Sequence, residues 1–308
     1  MVLEYLKVIT SHLILLIMVL VSVAFITLME QKILAGSQIR VGPNYIGWMG
    51  LFQPFADAAK LLSKEGLMLV KTNKIVYWVS PLVNLMLSLF LWSIFPFFEG
   101  SVVFLFSLLF FICVSSLSVY PILGMGWCSN CKYSMLGSLR SVAQMVSYEV
   151  SLAMIILSLV WVCGGYNIQD IVVSQEVLWN FFLFLPLGFI WFASSLAETN
   201  RNPYDFSEGE SELVSGFNTE YSAGGFVLIF MSEYANILFM GLLFCCFFLG
   251  GKLDFVMQMK MMSVVYFFVW VRATMPRFRY DKLMNLAWTS FLPVSLMLFM
   301  FYLLALLL

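Results

Sequence analysis

Eight stretches of this chain are apolar for long enough to cross a lipid bilayer, and this limits the fold more than any other feature. They cover residues 13–29, 75–98, 101–125, 141–164, 177–197, 221–250, 255–275 and 283–308. Roughly 17–25 predominantly apolar residues span the hydrocarbon core as a helix. A lipid-facing backbone must satisfy its own hydrogen bonds, so each stretch is expected to be helical. Only 11% of the residues are charged, against about 25% in a soluble domain. The expected fold is an all-α integral membrane protein with eight transmembrane helices, forming one membrane domain over residues 1–308. Glu4, Lys7 and His12 precede or open the first run and no small-residue cleavage site follows it, so it is read as a retained span.

Positive charge gives the orientation. With eight spans, four loops fall on one side. They hold Lys32, Arg40, Lys60, Lys64, Lys71 and Lys74, then Lys132 and Arg140, then Arg201, then Arg272, Arg277, Arg279 and Lys282. That is thirteen of the sixteen basic residues. Such a bias places the rich side in the cytoplasm or matrix, with both termini opposite. Pro81, Pro96, Pro121, Pro186 and Pro293 fall within spans and are expected to bend helices or sit near their ends. No internal repeat is evident, which weighs against an inverted-repeat transporter.

The loop after the fifth span, AETNRNPYDFSEGESELVSGFNTEY, breaks the charge pattern. It sets Glu198, Asp205, Glu208, Glu210, Glu212 and Glu220 against the single Arg201. Carboxylates this crowded repel one another, so some are expected to hold protons near neutral pH. Glu149 and Glu233 sit inside spans, where a carboxylate costs about 2.5–3.5 kcal/mol on insertion scales. Two readings stand side by side. The loop is either a solvated acidic turn or, as Leu213, Val214 and Phe217 suggest, a packed segment. The two intramembrane acids either make structural hydrogen bonds or belong to a proton relay.

The first basic loop contains QIRVGPN and then LFQPFADAAKLLSKE. Gly42-Pro43 marks a turn. From Pro54 onward, Phe55, Ala58, Ala59 and Leu62 share one helix face, and Asp57, Lys60 and Lys64 the other. This is an amphipathic surface helix, either a simple anchor or the roof of an opening for a lipid-soluble ligand. The last loop, VRATMPRFRYDKL, serves as ordinary basic anchoring or as a dock for a hydrophilic partner.

Several chemistries are excluded. His12 is the only histidine, so bis-histidine haem ligation within the chain is impossible. Cys128 and Cys131 form one C-x-x-C without a second pair, and the six cysteines outline no disulfide framework. No Gly-rich phosphate loop or dinucleotide fingerprint is present, and no basic tract suggests nucleic acid. The chain itself has no evident means of oxidising NADH or hydrolysing ATP.

The segments MEQKIL, QIRVGPN, LFQPFADAAKLLSKE, SLRSVAQMVSYEVSL, the acidic loop and RATMPRFRYDKLMNLAW resemble, in order, those of the subunit 1 family of NADH dehydrogenase, respiratory complex I. The resemblance runs the length of the chain. It implies a core membrane subunit, not catalytic alone, forming the membrane part of a ubiquinone chamber. Other complex I membrane subunits, membrane lipid and hydrophilic quinone-module subunits would be its partners. The latter would carry the terminal iron–sulfur cluster, and NADH, FMN and all clusters would lie outside this chain. It implies a matrix-side amphipathic helix and a helical acidic loop. By position, the proton path would use Glu149, Glu198, Asp205, Glu208, Glu210, Glu212, Glu220 and Glu233. The chamber would use Glu30, Arg40, Asp57, Lys60, Phe217, Arg272, Arg277 and Arg279. The implied location is the mitochondrial inner membrane, with the loops in the matrix and the termini in the intermembrane space. The 31 Phe and 20 Met fit a chain encoded in an animal mitochondrion. Gln31 replaces the family's usual Arg, Ala35-Gly36 its Gly-Tyr, and Tyr204 a common Phe. Cys128 and Cys131 stand where small polar residues are usual. A related quinone-independent membrane-bound hydrogenase subunit and a stand-alone proton-coupled transporter are the alternatives.

Overall fold

Helices carry the apolar spans, but their ends do not follow hydropathy. A computed structural model of the chain describes residues 2–66, 71–96, 104–176, 178–207, 209, 214–250 and 255–307. The first helix, α1 (Val2–Ser37), continues through Glu30-Gln31-Lys32 instead of ending there. No Gly or Pro interrupts it before Gly36, so nothing local stops the helix at the membrane boundary. Then come α2 (Gln53–Ser63), α3 (Lys74–Leu91), α4 (Ser107–Cys128) and α5 (Lys132–Cys163). Helix α5 starts nine residues before the expected 141, because the mixed polar and apolar run from Lys132 to Arg140 holds no proline and stays helical past the charged residues that marked the boundary. It closes on Gly164 in the left-handed conformation, φ 75°.

Residues 177–197 depart from a single span. Two short helices follow α6 (Ile168–Ser174): α7 (Asn180–Leu183) and α8 (Leu185–Glu198), separated at Phe184. Pro186 lacks an N–H and so opens α8 instead of continuing α7. Beyond the acidic loop come α9 (Ala223–Phe244), a π-helical turn (Cys245–Leu249), α10 (Phe255–Thr274) and α11 (Tyr280–Asn285). A second π-helical stretch (Leu286–Phe291) leads into α12 (Leu292–Leu307), with Pro293 just after it. Among the described residues, seven helices are long and apolar enough to cross a bilayer, and α8 is a shorter apolar helix. Pro81 and Pro121 lie inside α3 and α4.

Helix α9 is the hub. It packs against α1, α2, α3, α8 and α10. Helix α5 in turn packs against α4, α8 and α12. Without a hydrophobic driving force in lipid, close packing must hold such helices together. Aromatic rings fill the centre: Phe111 of α4 lies 5.9 Å from Phe239 of α9, and Trp191 of α8 lies 5.0 Å from Phe247. Gly137 on α5 lets the loop at Gly216 and Phe217 approach, since a Cβ there would stand 3.0 Å from Gly216 Cα and Phe217 N. The loop is therefore pressed onto the bundle at Gly216 and Phe217.

Candidate functional site

Helix α1 places Glu30 inside the bundle, its side chain 7% exposed. A buried carboxylate needs compensating charge and donors, and three elements supply them. Arg272 of α10 forms a hydrogen-bonded ion pair with it. Tyr234 of α9 donates its O–H at 2.5 Å. Arg201 of the acidic loop approaches to 3.5 Å. Arg201 also reaches Glu233 at 3.9 Å and stacks over the Tyr234 ring, 4.3 Å from its centroid. Two acids and two arginines thus form a charge-balanced chain from α1 to α9 and α10. Apolar Ile26, Ile237 and Phe268 line the adjoining recess.

Glu233 also faces a cleft between α3, α4, α5 and α9, about 40 Å³ in volume. Asn84, Ser88, Ser115, Glu198, Asn200 and Asn236 line it. Glu198 Oε2, Asn200 Oδ1 and Asn236 Oδ1 are buried there without a hydrogen-bond partner among the described residues. Glu149 on α5 is the acidic neighbour of Glu198, near enough to interact electrostatically. Polar acceptors in an enclosed intramembrane cleft are the arrangement in which ordered water or exchangeable protons offset burial.

The acidic loop is tied down at both ends. Asp205 pairs with Arg277 at 2.9 Å, and Phe278 N–H donates to Pro203 O at 3.1 Å. At the other end Tyr221 stacks on Tyr77, centroids 4.4 Å apart. Its hydroxyl lies 3.2 Å from Cys128 Sγ. Burial, aided by that thiol contact, pushes the Tyr221 phenol above its ordinary range, so it stays a neutral donor. Phe217 is 2% exposed and lines the cleft as well as packing among these groups.

The predicted residues therefore divide. Glu30, Arg272 and Glu233 meet through Arg201, while Glu198 and Phe217 face the same cleft as Glu233. Asp205 and Arg277 pair beside them, and Glu149 is half-buried nearby. Arg40 and Lys60 are exposed, and Arg279 makes a surface pair with Asp281 at 3.0 Å, so these three do not join the buried cluster. Asp57 is half-buried on α2 and accepts from Gln53 Nε2 at 2.9 Å. Tyr77 O–H donates to the Glu220 carbonyl oxygen at 2.8 Å. Glu208, Glu210 and Glu212 lie outside the described residues. Helix α2 does pack against α1 and α9, as an amphipathic cover would, with Phe55 6.0 Å from Phe25. Among the described residues no three His, Cys, Asp or Glu side chains gather as a metal would require.

Sequence reasoning missed Tyr234 and Gln144 and treated Arg201 as a mere counter-charge. The signal was available: each is a polar or charged side chain within or beside an apolar span, where its cost demands a partner.

A family model described as NADH dehydrogenase matches residues 10–303. The chain is 52% identical to NADH-ubiquinone oxidoreductase chain 1 of Aedes aegypti over 294 residues, covering 95% of this chain and 94% of the relative. It is 53% identical to the protein of that name in Locusta migratoria over 293 residues, with 95% and 93% covered. The Lampetra fluviatilis protein of that name is 47% identical over 298 residues, with 94% and 93% covered.

Proposed function

Because the chain belongs to the NADH dehydrogenase family and is a core membrane subunit of NADH:ubiquinone oxidoreductase, complex I, we propose that its buried acids couple quinone chemistry to proton movement. The observation that carries this reading is the Glu30–Arg201–Glu233 sequence of charges running from α1 to the polar cleft. A proton or electron arriving at one end shifts the balance at the other. In a low-dielectric interior such charges interact strongly over several ångströms.

In this reading ubiquinone occupies a chamber beneath α2. Arg272 and Arg277 bias its charge from the membrane side, and Arg40, Lys60 and Arg279 do so from the exposed surface. The path proper runs through Glu233, Glu198, Glu149 and Asp205, with Glu208, Glu210, Glu212 and Glu220 on the loop. NADH, FMN and the iron–sulfur clusters belong to partner subunits, and hydrophilic quinone-module subunits dock on the basic loops. Helices α7 and α8 together make the eighth crossing of the inner mitochondrial membrane. The thirteen basic residues that eight crossings would gather on one side support that count and a matrix position for the loops. The hydrogenase alternative is not favoured, since the relatives are named as ubiquinone oxidoreductases.

Glu233→Gln tests the reading. It keeps the side-chain shape and removes the exchangeable acid. Coupled quinone reductase activity is expected to fall on the order of tenfold or more in assembled complex. Unchanged activity would overturn a proton role for this acid.

A further inference from the structure

We infer that Gln144 is a positioning residue that sets the separation of the Glu198 and Asp205 carboxyl groups. Gln144 sits on α5 and is fully buried. Its Nε2 donates to two backbone carbonyls, Ala197 O and Tyr204 O, each at 2.8 Å. The amide is oriented by chemistry: only its NH2 end can meet two carbonyl oxygens. Both of its N–H bonds are used, and its Oε1 is buried without a partner among the described residues. A group that leaves its own acceptor unsatisfied is held in place by its donor bonds.

The two carbonyls belong to special residues. Ala197 directly precedes Glu198, and Tyr204 directly precedes Asp205. One amide therefore bridges the backbone beside two acids, and through it α5 grips both the end of α8 and the first turn of the acidic loop. Between those points the chain runs through Arg201, which contacts Glu30 and Glu233. Releasing the clamp frees all of these groups to shift relative to the cleft. Side-chain geometry displaced by about 1 Å costs on the order of a hundredfold in catalysis, so a clamp at this point has leverage on the whole relay.

This inference rests on the proton-path reading above. The experiment uses assembled complex carrying Gln144→Met, which matches the length but donates nothing, beside Glu198→Gln and wild type. Redox-difference infrared spectra give the carboxyl C=O band that Glu198→Gln removes, and proton transport is measured in the same samples. With Gln144→Met that band is expected to shift while still present, with proton transport about tenfold lower at normal assembly. An unshifted band with transport unchanged overturns the positioning role and leaves the path standing. Glu198→Gln transporting protons like wild type overturns the path itself, and the inference with it. Should Gln144→Met prevent assembly, Gln144→Asn takes its place. Its shorter amide is expected to reach one carbonyl only and give the same band shift at a smaller loss, and an unshifted band again overturns the role.

Discussion

Glu30 and Arg272 are 242 positions apart in the chain and form a partly buried ion pair that joins α1 to α10. Neither helix would have reason to hold a charge at this depth without the other. The pair, with Tyr234 and Arg201 around it, makes the first and last thirds of the chain parts of one site.

Arg272→Met should leave Glu30 dependent on Arg201 and Tyr234. The Arg272 side chain is 35% exposed, so solvent offsets part of the loss. A hydrogen bond to a charged group contributes about 1.5–3 kcal/mol, and the low end applies here. Thermal denaturation of the assembled complex should show a lower midpoint, and an unaltered midpoint would mean that the pair is not structural.

Tyr234→Phe deletes one donor to Glu30 and keeps the ring beneath Arg201. Glu30 then keeps Arg272 and Arg201 at Oε1 and loses the donor at Oε2, at a cost of about 1–3 kcal/mol. Quinone reductase turnover should drop more than complex abundance does. Equal losses of both would reduce Tyr234 to a packing residue.

Gln31→Arg restores the charge usual in the family. Gln31 is exposed on α1 while Glu30 faces inward, so the added guanidinium meets solvent or headgroups. Surface substitutions usually stay within about 0.5 kcal/mol, so turnover should remain within roughly twofold. A larger change in kcat/KM for quinone would place residue 31 at the site.

The spans and the amphipathic helix were legible because apolar runs and a helix-period stripe are one-dimensional signals. Where helices end inside or beyond a membrane was not: Glu30 read as the start of a loop because charge marks the water boundary, and the helix simply carries on through it. The break at Phe184 follows from Pro186, whose effect on a span could only be stated as a bend or an end. Among site residues, Glu149 and Glu233 stood out as acids in costly places, Glu198 as one of a crowded acidic loop, and Glu30 only through the resemblance. Their partners did not, since Arg201 and Tyr234 look ordinary until folding brings loop and helix together. Arg40, Lys60 and Arg279 matched the family's motifs equally well, yet lie outside the buried cluster. Motif identity does not say which way a side chain faces.

The most direct test is proton transport by proteoliposomes holding the assembled complex with Glu198→Gln, driven by NADH and ubiquinone. The carboxyl of Glu198 is expected to carry protons across the cleft, so transport should fall on the order of tenfold or more while assembly stays intact. Wild-type transport by that variant would contradict the account.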